Sequence, residues 1–336
     1  MKKITALLLA LFMLVAALAG CGKQNDTNQT DKLSIVTTIF PEYDWVREIL
    51  GDKADNAEIT MLLDNGVDLH SYQPTADDIV KISDCDLFIY VGGESDEWVE
   101  DALRNAANRN MKVINLLEVL GDSVKTEEIV EGMQEEEHEH EDVEEHEHED
   151  VEEHEHEEEA DEHVWLSLKN AKMLVRVISK ALQELDPNNK DIYAANADAY
   201  VKKLSALDAE YQTAVDAASN KTILFGDRFP FRYLVDDYGL RYYAAFVGCS
   251  AETEAGFETI SFLAKRVDEL KLPCVLTIEG AQHKIAETVV RNTTAKNQRV
   301  LTMDSMQSTT SKDVKNGTTY LSVMEKNLSV LKEALR

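Results

Sequence analysis

The chain has 336 residues, 44% of them hydrophobic and 29% charged. That is enough for two ordinary globular domains of about 150 residues each, and too apolar for a disordered chain. Its 34 Lys and Arg against 64 Asp and Glu leave a formal charge of −30, which repels phosphate backbones and attracts cations, so nucleic acid is excluded as a partner. Residues 131–162 alone carry 20 acidic residues and no Lys or Arg, −20 of that −30.

Lys2 and Lys3 precede an apolar run from Ile4 to Leu18 broken only by Thr5, the pattern of a secretory signal and too short for the ~20 apolar residues of a membrane span. Leu18-Ala19-Gly20-Cys21 has the form of a bacterial lipobox, in which cleavage before Cys21 leaves lipid on that thiol. Residues 1–20 then read as a signal peptide and 21–31, polar beyond the cysteine, as a lipid-anchored tether. Cys85, Cys249 and Cys274 remain, an odd number with no CxxC unit. Cys85 and Cys274 abut apolar runs and read as small buried hydrophobes.

β-rich runs at 33–39, 58–63, 87–91 and 112–116 alternate with helical patterns at 43–50, 76–83 and 98–108. Residues 138–159 are a low-complexity repeat, HEHEDVEE at 138–145 and 146–153, then HEHEEE at 154–159, carrying His138, His140, His146, His148, His154 and His156. With almost nothing apolar to bury, the surrounding loop 131–162 is expected to be disordered and to hold zinc weakly and exchangeably through its imidazoles and carboxylates. Asp186-Pro187 predicts the start of a long helix over 187–218, in which Tyr200, Leu204, Leu207, Tyr211 and Val215 recur at helical spacing. Such a helix is ~48 Å long at 1.5 Å per residue, and two shorter helices broken near Ser205 fit the same periodicity. Further strands at 222–225, 241–246, 274–278 and 299–303 flank a helix at 257–270. The alternation predicts an α/β protein of two lobes, 32–186 and 219–336, each a largely parallel sheet flanked by helices and joined by the long helix.

The chemistry-bearing residues fall just past predicted strands, where loops of open α/β sheets converge on a crevice. His70 follows the strand ending at Leu63, His163 follows the acidic loop, Glu279 ends the run 274–278 and Asp304 ends 299–303. Two imidazoles with one or two carboxylates suit a transition metal such as Zn²⁺. Singly, each has a plainer role: a surface His, or a carboxylate capping the next helix.

The lipobox, Gly66 to Pro74 with Tyr72-Gln73-Pro74, the His-rich insert followed by Glu162-His163-Val164-Trp165-Leu166-Ser167, the segment Phe225 to Leu240, and Val300 to Asp304 together resemble the zinc/manganese substrate-binding proteins of ABC importers, metal-binding cluster A-I. The resemblance runs from about Leu33 to Leu335. It implies two lobes, one connecting helix, and a metal in the cleft bound by three His and a carboxylate, or by fewer groups plus water. His70 and His163 match the first two His ligands and Asp304 the late carboxylate. The third His falls on Arg228, which has no lone pair to give and stays cationic. Either Asp227, Glu279 or His283 substitutes for it, or Arg228 pairs with a carboxylate while His70, His163, Asp304 and water complete the shell, or the site is degenerate.

The resemblance implies an extracytoplasmic, lipid-anchored, monomeric zinc receptor delivering metal to an ABC permease and ATPase, with Mn²⁺ the lesser alternative because abundant imidazole favours later metals. A surface adhesin or metal-buffering lipoprotein of the same fold is the alternative. A zinc hydrolase with Glu279 as base is a remote one, since HExxH, GxSxG and Walker motifs are lacking.

Overall fold

A computed structural model describes residues 32–134, 159–250, 254–280 and 283–336. The lipobox with Cys21 and the six histidines of the repeat lie outside the described residues. Leu33–Arg336 form one compact unit, and among the described residues no helix is long and apolar enough to cross a membrane.

The first sheet contains β1 (Leu33–Thr37), β2 (Ala57–Met61), β3 (Leu87–Tyr90) and β4 (Lys112–Asn115), all parallel, in the order β2-β1-β3-β4. Helices cover both faces of such a sheet, which is why Leu87, Phe88 and Ile89 are consecutively buried rather than alternating. In the second half β5 (Thr222–Leu224) pairs with β7 (Arg241–Tyr243), and β9 (Cys274–Thr277) with β10 (Arg299–Thr302). A parallel bridge from Phe225 to Leu276 joins the two pairs, repeating the strand order of the first sheet. A short ladder of β6 (Arg228–Phe229) with β8 (Phe246–Val247) lies beside them. β6 was not expected from the sequence, being only two residues long, and the expected run 241–246 splits into β7 and the first residue of β8. In both sheets the order reverses beside the first strand, so the crevice at the carboxyl ends is the expected ligand position.

The long helix runs unbroken over Lys190–Ala217, 28 residues or ~42 Å. Ser205 does not break it; its hydroxyl is accommodated within the helix by donating to the Val201 carbonyl at 2.8 Å. The expected start at Pro187 is three residues early. A preceding helix, Leu168–Leu185, packs antiparallel to the long one, so residues 186–189 are needed for the turn between them. Asp186 accepts from Asn189 and from the Tyr193 hydroxyl, both at 2.7 Å, instead of capping the helix. The long helix also packs on Phe40–Leu50 from the first half and on the C-terminal helix Tyr320–Ala334. Tyr211 donates to the Met324 carbonyl at 2.6 Å.

One apolar cluster therefore runs through both halves, with Ile35, Trp45, Leu204, Phe231, Leu276 and Leu331 as members. A smaller cluster lies under Phe257–Leu270 and Lys284–Asn292. The continuous core predicts cooperative unfolding. Leu204→Ala, fully buried mid-helix, should lower stability by ~2–5 kcal/mol and shift one denaturant transition. A second transition left at its wild-type midpoint would mean that the halves unfold independently.

Candidate metal centre

Two short turns and one buried segment build the site. Asp68 caps a single turn, Leu69–Ser71, by accepting the backbone N–H of His70 at 3.1 Å. After β3, Gly92 and Gly93 adopt positive φ (93° and 84°) and lead into the turn Glu94–Asp96. A side chain on Gly93 would collide with the Glu162 carboxylate. Its absence lets Glu162 Oε1 accept the Ser95 N–H at 2.9 Å. Asp161, Glu162 and His163 are all buried at the far stem of the acidic loop.

Of the segment 131–162, residues 135–158 lie outside the described residues. Its ends are placed: Met133 is buried, Ala160 bridges to Thr126, and Asp161 N–H donates to the Lys125 carbonyl at 2.8 Å. Tyr233 donates from the second half to the Asp161 carbonyl, also at 2.8 Å.

This scaffold brings the Nε2 atoms of His70 and His163 to 3.2 Å from each other. Each ring is held from its other nitrogen. His163 Nδ1 lies 3.0 Å from Asp161 Oδ1, and since a carboxylate only accepts, Nδ1 carries the proton. His70 Nδ1 is 2.8 Å from Ser95 Oγ and 3.4 Å from Glu162 Oε2. This outer-shell pattern fixes metal-ligating imidazoles with Nε2 free. Burial, the neighbouring His163 and Arg228 push the His70 pKa down to about 3 against the pull of Asp68. Burial also opposes charge on His163, but Asp161 and Glu162 override it and raise that pKa. Of the two rings His163 is thus the more readily protonated, and His70 the one that stays neutral.

Cys249, missed in the sequence, is the third member. Its Sγ and one nitrogen of each ring all lie within 4.8 Å of one another. The sequence did not single it out: like Cys85, it lies one residue from an apolar run, here Tyr242–Val247. Cys85, Cys249 and Cys274 are all free, and Cys85 and Cys274 are buried.

The other predicted ligands are not in this group. Arg228 pairs with Asp68 at 2.8 Å and donates to the Ser250 carbonyl at 3.1 Å. Burial pushes the Asp68 carboxyl up, but Arg228 and His70 together outweigh it and hold Asp68 below the usual carboxylate range. Asp304 instead caps its own loop, accepting the Met306 N–H at 2.8 Å. Glu279 accepts from Ser305 N–H (2.6 Å), Ser305 Oγ (2.7 Å) and Gln307 N–H (3.1 Å), pinning a loop in which Met306 has positive φ. Burial and Asp304 raise the Glu279 pKa to about 7. Asp227 is occupied by the Arg228 and Ile278 N–H groups and the Thr277 hydroxyl. His283 lies 3.2 Å from Thr277 Oγ1 just before a helix that begins at Lys284, so it shares no helix face with Glu279.

The donor set suits zinc. At ~2.0–2.1 Å per Zn–N bond, two corners of a tetrahedron are about 3.3 Å apart, against the 3.2 Å found between the ring nitrogens.

The sequence profile of the family described as ZnuA, zinc-uptake complex component A, periplasmic, matches residues 35–334. The chain is 33% identical over 333 residues to the zinc-binding lipoprotein AdcA of Streptococcus pneumoniae, covering 99% of this chain but 61% of that protein. It is 32% identical over 330 residues to the high-affinity zinc uptake system protein ZnuA of Bacillus subtilis, covering 97% and 95%. The crystal structure of the Zn(II)-bound ZnuA-like domain of Streptococcus pneumoniae AdcA superposes with a TM-score of 0.68 at 29% identity, covering 90% of this chain and 99% of that one.

Metal and proton compete for His163, so the dependence of log affinity on pH should steepen by one proton as pH falls through that raised pKa. Asp161→Asn should move the steepening to lower pH and weaken Zn²⁺ binding by about 10–100-fold. A slope constant from neutral to mildly acid solution, measured by competitive titration, would count against this proton assignment.

Proposed function

The chain belongs to the ZnuA family of zinc-uptake components, and from that premise we propose that it is an extracytoplasmic Zn²⁺ receptor that delivers the ion to an ABC permease and its ATPase. The observation carrying this reading is the meeting of His70 Nε2 and His163 Nε2 at 3.2 Å, each ring anchored through Nδ1 to an oxygen. Zinc is the cargo, and no step of the cycle is chemical. Glu279, the base a hydrolase would need, is spent on Ser305 and Gln307.

The anchor is lipid on Cys21, supported by the two lysines, the short apolar run and the lipobox. The His/Glu repeat collects zinc weakly and exchanges it with the cleft, its imidazoles favouring Zn²⁺ over Mn²⁺. Release needs the loops bearing the two histidines to part, and the Asp68–Arg228 pair between the halves is one contact that must open.

Calorimetry of the mature chain with Zn²⁺ should give one tight equivalent followed by weaker ones. His70→Ala or His163→Ala should abolish the tight phase and spare the weak phase. Deleting residues 135–159 should do the reverse and slow uptake when zinc is limiting. Weak binding alone in the unaltered chain would refute the receptor reading, and uptake unchanged at every zinc level in the deletion would leave the repeat without this role.

A further inference from the structure

We propose that Cys249 Sγ is the third protein ligand, making the centre a two-nitrogen, one-thiolate site. This deepens the zinc-receptor reading and rests on it. Sγ belongs to the one group of potential ligand side chains found among the described residues, with all ligand atoms within 4.8 Å of one another.

The backbone explains how a cysteine arrives there. Arg228 and Phe229 pair in parallel register with Phe246 and Val247, so the chain leaving that ladder passes beside Arg228. Gly248 comes next and lies directly against His163. A Cβ there would be 2.9 Å from the ring Cε1 and 3.1 Å from Nδ1. With no side chain at 248, the backbone approaches the imidazole and Cys249 follows into the cleft, its own N–H donating to Glu127 Oε1 at 2.9 Å. Arg228, where the family resemblance calls for an imidazole, is drawn aside onto Asp68 and the Ser250 carbonyl. The Arg and the Cys are thus complementary departures: one residue leaves the ligand shell and another, 21 positions on, enters it.

At Zn–N ~2.05 Å and Zn–S ~2.3 Å, a tetrahedral site separates sulfur from nitrogen by about 3.6 Å, inside the limit the group already meets. As the sulfur–metal bond forms, the thiol gives its proton to solvent and the ion gives up a coordinated water, with no change of oxidation state. A thiolate also supplies selectivity that oxygen ligands lack. Soft sulfur favours Zn²⁺ and Co²⁺, whereas Mn²⁺ prefers carboxylate and water.

Co²⁺ added to the mature chain tests this directly, because a thiolate–cobalt bond produces a near-ultraviolet charge-transfer band and the His/Glu repeat contains no cysteine. The band should saturate at one equivalent, vanish on adding Zn²⁺, and be absent from Cys249→Ser. Zinc affinity of that variant should fall by more than the ~10–100-fold that loss of an outer-shell partner costs. Cys249→His should lack the band and retain tight zinc binding, which separates loss of the sulfur from misfolding. If the unaltered chain binds Zn²⁺ tightly but shows no band, or if the band survives in Cys249→Ser, the thiolate ligand is refuted and the receptor reading stands. If it binds neither ion tightly, the receptor reading itself falls.

Discussion

Two imidazole nitrogens held 3.2 Å apart, one ring fully buried and the other nearly so, are the constraint on which the site is organised. Without a proton or a cation between them, their lone pairs repel. Folding must therefore overdetermine both rings, and it does so from opposite sides. Ser95 and Glu162 fix His70, Asp161 fixes His163, and Gly248 passes closely enough to wall in the His163 ring. The ligands come from segments 93 residues apart, yet little ordering is left for an ion to impose. In a preorganised site of this kind, binding free energy is not spent on immobilising ligands.

The carboxylates around the crevice divide by task, and the division explains why a reading based on residue type alone selects too many. Asp161 and Glu162 face the Nδ1 side of the rings and tune them. Asp68 caps the His70 turn and holds Arg228. With its amide oriented to satisfy both ends, Gln307 adds a donor to Asp68 Oδ1 at 3.0 Å and accepts from Ser305 Oγ at 3.3 Å. Glu279 and Asp304 act further back, as hydrogen-bond acceptors that shape the loop bearing Ser305 and Gln307. The contact across the crevice is thus a partly exposed ion pair plus a few neutral hydrogen bonds, each contributing on the order of 1 kcal/mol. The apolar cluster behind it is continuous through both halves, which confines opening to the loops at the strand ends.

The strands were legible because hydrophobic runs of four to seven residues bounded by polar turns leave few alternatives, and each of the eight predicted runs overlaps an observed strand. The long helix was legible from its apolar spacing. Its N-terminus was not, because the turn after Leu185 follows from the packing of two helices that the local pattern does not express. The histidines stood out by rarity, three outside the repeat, and two of them meet. His283 is the same residue type in a similar position after a strand, and only tertiary placement separates it. Cys249 was invisible because its role depends on a close approach at Gly248 and on Arg228 turning away, both properties of chain packing. Arg228 itself was informative as a departure: a cation where a ligand was expected meant that another group had to be sought.

The acidic repeat gains meaning from where its ends are fixed. Glu159 accepts the Glu127 N–H at 2.9 Å, and four residues later the chain reaches His163. His154 and His156 are five and three residues before Glu159 in sequence. An ion held there weakly, on the proposed reading, is never far from the crevice, which is equivalent to a local concentration on the order of millimolar. Weakness is then an advantage, because a loop ligand that competed with the imidazole pair would retain the cargo. On that reading, the segment 131–162, which carries −20 of the −30 charge, is attached beside the histidine pair.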